Sequence, residues 1–156
     1  MILVSKNFTD KQNRRINYLR ISVTPDCNLR CLYCATGSEE LSQKNSLLSF
    51  NEIVKITNAA AKIGISKIRI TGGEPLLREN LSELVKQISQ INGVEDISIT
   101  TNGHLLPKLA PELKSAGLNR VNISLDSLNF DTYNKINDGN INNALNGINA
   151  DRKSVV

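Results

Sequence analysis

The three cysteines of this 156-residue chain all fall in one short stretch, Cys27-Asn28-Leu29-Arg30-Cys31-Leu32-Tyr33-Cys34. The spacing is Cys-x3-Cys-x2-Cys. Three thiolates that close together can grip three corners of an iron–sulfur cube and leave one iron open to a small molecule. Two other chemistries compete. A zinc site would need His104 as its fourth ligand, yet His104 lies far along the chain and the spacing is unlike common structural zinc patterns. A redox Cys-x2-Cys pair would leave Cys27 without a role. An odd, clustered set of cysteines does not suggest a disulfide framework. The stretch Met1–Lys6 is too short for the apolar core of a secretory signal. A reducing, cytoplasmic setting is therefore expected.

Three further loops carry residues suited to holding a ligand. In Thr71-Gly72-Gly73-Glu74-Pro75, two glycines let a ligand approach the backbone, and Pro75 sets the exit of the loop. Alone, Gly-Gly is ordinarily a turn. In Thr100-Thr101-Asn102-Gly103, Asn-Gly also reads as a turn, but Thr100 then has no assigned role. In Ser124-Leu125-Asp126-Ser127, Asp126 or Ser127 reads as a helix cap, and Ser124 is better placed to meet a ligand. Tyr33, between two of the cysteines, can pack over a purine or be an ordinary loop aromatic.

The segments between these loops must position them. Residues 1–17 are polar and basic, with Lys11, Arg14 and Arg15, and read as a frayed leader. Tyr18–Thr24 alternates Leu19, Ile21 and Val23 against Arg20, Ser22 and Thr24, which predicts a strand ended by Pro25 and Asp26. The capping box Ser49-Phe50-Asn51-Glu52 starts a helix whose inner face is expected to be Ile53, Ile56, Ala60 and Ile63, with Gly64 at its end. A second strand spans Ser66–Thr71. A helix beginning near Asn80 carries the stripe Leu81, Leu84, Val85, Ile88 and Ile91. A third strand spans Asp96–Thr100, and a helix over roughly Pro107–Ala116 is capped by Gly117. A fourth strand spans Arg120–Leu125, and a helical region over about residues 130–150 is broken near Asp138-Gly139. Strand–helix alternation of this kind predicts an α/β fold with a parallel sheet and helices on its outside.

Parallel strands covered on both faces are ordinarily apolar throughout. Each strand here has a polar face: Arg20, Ser22, Thr24, Arg69, Thr71, Ser98, Thr100, Asn122 and Ser124. If the sheet curls, that set lines one concave surface, with the motif loops at the carboxyl ends of the strands. Arg20 and Arg69 then call for an anionic ligand such as a nucleoside triphosphate, or for internal carboxylate partners. The net charge of +4 is compatible with a phosphorylated ligand or with an ordinary basic surface. No basic run with interleaved aromatics favours nucleic acid, and no stretch approaches the length of a membrane span.

These motifs together resemble the radical S-adenosylmethionine (SAM) enzymes. Tyr18–Thr24, Ile70–Arg78, Thr100–Gly103 and Arg120–Leu128 are similar, within them, to the GTP 3′,8-cyclase family of molybdenum cofactor biosynthesis, over roughly residues 14–149. The resemblance implies a partial (β/α) barrel of about four units, with a radical SAM core at 18–150 and a tail at 151–156. It implies a 4Fe–4S cluster on Cys27, Cys31 and Cys34, with SAM chelating the open iron. Tyr33, Gly73 and Ser124 match positions that contact SAM, and Gly72 and Glu74 of the same loop go with them. Arg20, Arg69 and Thr100 match positions that contact GTP. The implied reaction is reductive cleavage of SAM to a 5′-deoxyadenosyl radical, which abstracts the ribose 3′ hydrogen of GTP and leads to (8S)-3′,8-cyclo-7,8-dihydroguanosine 5′-triphosphate. No side chain is assigned as the catalyst itself. An electron donor of the flavodoxin or ferredoxin kind is implied, and a homodimer is compatible. Members of the family are longer and carry a second cluster on three further cysteines, which this chain lacks. The chain is accordingly expected to be an amino-terminal half. Alternatives are another radical SAM reaction, such as peptide modification or enzyme activation, or a non-catalytic metal-binding remnant.

Overall fold

The structure, a computed structural model, describes residues 8–34 and 47–154, with side chains to residue 151. Residues 1–7 of the expected leader and 155–156 of the tail lie outside the described residues. The alternating segments form β1 (Tyr18–Ser22), β2 (Lys67–Thr71), β3 (Asp96–Thr101) and β4 (Arg120–Ile123). They make one parallel sheet in the order β1-β2-β3-β4. The helices are α1 (Phe50–Lys62), α2 (Leu81–Ser89), α3 (Leu106–Ser115), α4 (Phe130–Asn137) and α5 (Ile141–Ser154). The break at Asp138 is real: it adopts a left-handed conformation at φ 51° and separates α4 from α5.

Local chemistry sets the helix ends. Ser49 Oγ accepts from the Glu52 amide at 3.3 Å, and Glu52 accepts from the Ser49 amide at 2.7 Å, so both halves of the capping box form. Gly64 and Gly117, each at φ 103°, follow the ends of α1 and α3 in the backbone region that favours glycine. Described residues of the leader form a turn instead of fraying, with Thr9 bridged to Arg15 and Arg14 paired to Asp10.

The apolar strand faces pack under the helices. Ile68, Ile70, Ile97 and Ile99 meet Leu84, Val85, Ile88, Leu106 and Leu113 in one buried cluster. The expected face of α1 is wrong by part of a turn. Ile53, Thr57 and Ala61 are buried, whereas Ile56 and Ile63 are 47% and 48% exposed. Thr57 can enter the core because its hydroxyl donates to the Ile53 carbonyl at 2.8 Å. Ile91 of the expected α2 stripe lies past the helix end and is half-buried.

The register aligns the polar face in rows. Arg20 lies beside Arg69, Arg69 beside Ser98, and Ser98 beside Arg120. One row nearer the carboxyl ends, Ser22 lies beside Thr71, and Thr100 beside Asn122. Among the described residues, no helix is long and apolar enough to cross a membrane.

Candidate functional site

A cavity of about 200 Å³ opens at the carboxyl ends of the strands. Cys27, Cys31, Tyr33 and Cys34 line it from the loop after β1, Gly72, Gly73 and Glu74 from the loop after β2, and Thr100 and Ser124 from the ends of β3 and β4. The structure therefore brings the three cysteines, all five expected SAM-contacting residues and Thr100 into one place. Arg20 and Arg69 do not line this cavity. They sit on the same sheet face, one row further from the carboxyl ends.

The cysteine loop is held from several directions. Gly73 N–H donates to Thr24 O at 2.8 Å and Glu74 N–H to Asp26 O at 2.6 Å. A Cβ built on Gly73 would stand 2.3 Å from Asp26 O, and one on Gly72 would stand 2.4 Å from Thr24 O. The close approach that both glycines permit is thus made first by the stem of the cysteine loop. On the other side, Asn102 Nδ2 donates to Asn28 Oδ1 at 2.7 Å. From α4, the Ile136 and Asn137 carbonyls accept from Leu32 N–H at 2.9 Å and Arg30 N–H at 3.3 Å.

Glu74 lines the cavity with its carboxylate turned into the fold. The residue is 0% exposed. Its Oε1 accepts from Leu76 N–H at 3.0 Å and Thr101 Oγ at 2.7 Å, and its Oε2 accepts from Asn102 N–H at 2.8 Å. Burial pushes its carboxyl above the usual glutamate range, against the pull of those three donors. Its carboxylate ties the loop after β2 to the loop after β3, and the ring of loops depends on it.

The helix-cap reading of Asp126 and Ser127 is also corrected. Asn129 caps α4, accepting from Thr132 N–H at 3.0 Å. Asp126 accepts instead from the Tyr33 hydroxyl, at 2.9 Å to Oδ2 and 3.1 Å to Oδ1, and from Asn137 Nδ2 at 2.5 Å. The Tyr33 ring is 67% exposed with its hydroxyl tethered in this way. Burial and the Asp126 carboxylate both push the Tyr33 hydroxyl's pKa upward. Asp126, Asn137, Asn28 and Thr101 were not read as site residues from sequence. Asp126 carried a signal, its place straight after a strand, but a cap explained it equally well. Asn137 carried none.

The donor set fits an iron–sulfur cluster. Cys27 and Cys31 are half-buried and Cys34 is exposed, all on one cavity wall. Two sulfurs already receive hydrogen bonds, Cys27 Sγ from Leu29 N–H at 3.4 Å and Cys31 Sγ from Asn137 Nδ2 at 3.2 Å. Burial pushes the Cys27 thiol up, so a bound cation is what would deprotonate it there. Among the described residues, no three His, Cys, Asp or Glu side chains converge as ligands of a single ion would, whereas a cluster is gripped at separate corners. The zinc alternative loses its fourth ligand. His104 does not line the cavity, and its Nε2 lies 3.1 Å from the Tyr133 hydroxyl.

The basic row has its own geometry. Arg69 sits 5.3 Å from the centre of the Tyr18 ring, and its Nε donates to Ser98 Oγ at 3.3 Å. With the Asn122 amide oxygen turned toward it, the guanidinium also donates at 2.9 and 3.3 Å. The salt bridges among the described residues are Arg14–Asp10 and Arg120–Asp96. Arg20 and Arg69 therefore have no carboxylate partner there. Two adjacent like charges on neighbouring strands repel, and an anion relieves that repulsion.

Comparison with known proteins agrees with this arrangement. GTP 3′,8-cyclase of Clostridium acetobutylicum is 51% identical over 140 residues, covering 89% of this chain and 44% of that protein. The enzyme of the same name from Petrotoga mobilis is 51% identical over 143 residues, 90% of this chain and 44% of its own length. The chain thus spans under half of these relatives, in their amino-terminal part. Methylornithine synthase (PylB) shares the fold at TM-score 0.72 and 18% identity, over 88% of this chain and 41% of that one. The hydrogenase maturase HydG does so at TM-score 0.73 and 13% identity, over 89% and 33%. The sequence profile of the Radical SAM superfamily matches residues 21–154. With its thiols, glycine loop and polar strand face gathered at one end of a parallel sheet, the chain belongs to the radical SAM superfamily.

Proposed function

We propose that this chain holds a 4Fe–4S cluster on Cys27, Cys31 and Cys34 and binds SAM beside it. We assign it the work of the amino-terminal part of a GTP 3′,8-cyclase. The observation that carries this reading is the single polar face on which the cysteine-lined cavity and the carboxylate-free pair Arg20–Arg69 lie one row apart. Cys27, Cys31 and Cys34 would hold the cluster, which together with SAM would supply the radical chemistry for hydrogen abstraction from GTP.

The chain's own residues hold and orient. The loop Thr71–Glu74, braced by the buried Glu74 carboxylate, forms one cavity wall and offers its backbone to SAM. Tyr33 and Ser124 close the cavity from the loop after β1 and the end of β4. Arg69, already oriented by Tyr18, Ser98 and Asn122, and Arg20 beside it attract the GTP triphosphate. Thr100 stands between the two sites, lining the cavity from the row next to Arg69's. The core functional unit is residues 18–150. It carries one cluster, works in the cytoplasm with a flavodoxin- or ferredoxin-type reductant, and is compatible with a homodimer.

The test is anaerobic reconstitution with iron and sulfide. Cluster absorbance should appear in the wild type and be lost when Cys27, Cys31 or Cys34 is changed to Ala. With dithionite, the loaded protein should release 5′-deoxyadenosine from SAM. GTP binding measured by calorimetry should weaken about tenfold in Arg69→Ala and in Arg20→Ala, the loss of roughly one charge-assisted contact. No cysteine-dependent cluster would overturn the radical SAM assignment of the site. GTP binding indifferent to both arginine changes would overturn the substrate.

A further inference from the structure

Asn137 is the last residue of α4 and is 3% exposed. Its side-chain nitrogen has two hydrogens and two acceptors, Cys31 Sγ at 3.2 Å and Asp126 Oδ2 at 2.5 Å. Its side-chain oxygen is buried with no partner. An orphaned buried acceptor is costly, so the orientation of this amide is set by what its N–H groups reach. The rest of the corner is built around the same contact. The Ile136 and Asn137 carbonyls hold the Leu32 and Arg30 amides of the cysteine loop. Asp138 then ends α4 in a left-handed conformation. Gly139 lies so close to Leu29 that a Cβ there would stand 2.4 Å from Leu29 Cδ2. Asp126, which accepts from both Asn137 and Tyr33, fixes the amide from behind.

We infer that Asn137 is a positioning residue for the cluster: its side-chain N–H donates to the Cys31 sulfur, orients that ligand and raises the cluster's reduction potential. The inference rests on the proposed cluster site. A donor to a coordinating sulfur stabilises the form with more negative charge, which is the reduced cluster. Removing it makes reduction harder without removing any ligand.

The experiment is an EPR-monitored redox titration of the reconstituted full chain. Wild type is compared with Asn137→Leu, which keeps the side-chain shape without the N–H. The expected result is a potential lowered by about tenfold in the one-electron reduction equilibrium, equivalent to 59 mV, with iron and sulfide content unchanged. A second variant, Asn137→Ser, is smaller and removes the amide with less risk to packing; it should shift the potential in the same direction. If neither variant folds, wild-type protein carrying asparagine labelled with 15N in the side chain answers the question. The reduced cluster should then show a hyperfine coupling to a side-chain nitrogen that persists when Asn28 and Asn102, the other amides beside the cavity, are changed to Asp. A loaded cluster whose potential does not move in either variant, or an absent coupling, overturns the inference alone. Failure of the wild type to load a cysteine-dependent cluster overturns the cluster assignment first.

Discussion

Gly73→Ala separates two reasons for the glycine loop. If glycine is needed only so that SAM can approach, the metal-free protein should tolerate the added methyl. The geometry says otherwise. The new Cβ would stand 2.3 Å from Asp26 O and 2.5 Å from Pro25 O, where ordinary contact begins at 3.4 Å. Those are backbone atoms, so no side chain can swing aside. The loop after β2 must withdraw from the cysteine stem by about 1 Å. That displacement breaks the bonds from Gly73 N–H to Thr24 O and from Glu74 N–H to Asp26 O, now 2.8 and 2.6 Å long. Each is worth about 1 kcal/mol net, and the residual overpacking costs about 1–3 kcal/mol. A loss of about 3–5 kcal/mol follows, which in a domain of this size lowers Tm by about 6–20 °C. Circular dichroism melting of the metal-free protein measures it, with Ser124→Ala as a control. Ser124 is exposed at the cavity wall, and its loss should stay within about 0.5 kcal/mol. A Gly73→Ala protein that melts with the wild type yet no longer binds SAM would refute the docking argument and return the glycine to the ligand.

Glu74→Ala should leave the Leu76 and Asn102 amides and the Thr101 hydroxyl without an acceptor. At about 1 kcal/mol for each orphaned donor, a loss of about 3 kcal/mol is expected. It should appear as a lower urea midpoint at unchanged slope. Ser49→Ala removes the Oγ acceptor of the capping box and should cost about 1 kcal/mol, seen as a melting point lower by a few degrees with cavity chemistry untouched.

Much of the fold was legible because the signals are local. Period-two alternation marked all four strands, and the Ser49–Glu52 box and Gly117 marked helix ends, since each depends on residues within a few positions of one another. The face of α1 was misjudged for the same reason. Periodicity favours Ile56 and Ile63 by hydrophobicity, but the buried face of α1 takes the smaller Thr57 and Ala61, and Thr57 satisfies its own hydroxyl within the helix.

By itself, the sequence determined the chemistry on offer: three thiols on one loop, a glycine pair after one strand, and a polar face with two arginines. Residue type and short spacing carry that information. Only the tertiary structure decided how these parts bear on one another. It turned Glu74 inward to tie two loops, filled the glycine gap with the cysteine stem, and left Arg20 and Arg69 without carboxylate partners among the described residues. It also set Asn137 against Cys31 across 106 positions of chain. Such contacts follow from the parallel register and the crossover helices, which bring distant loops to the same end of the sheet.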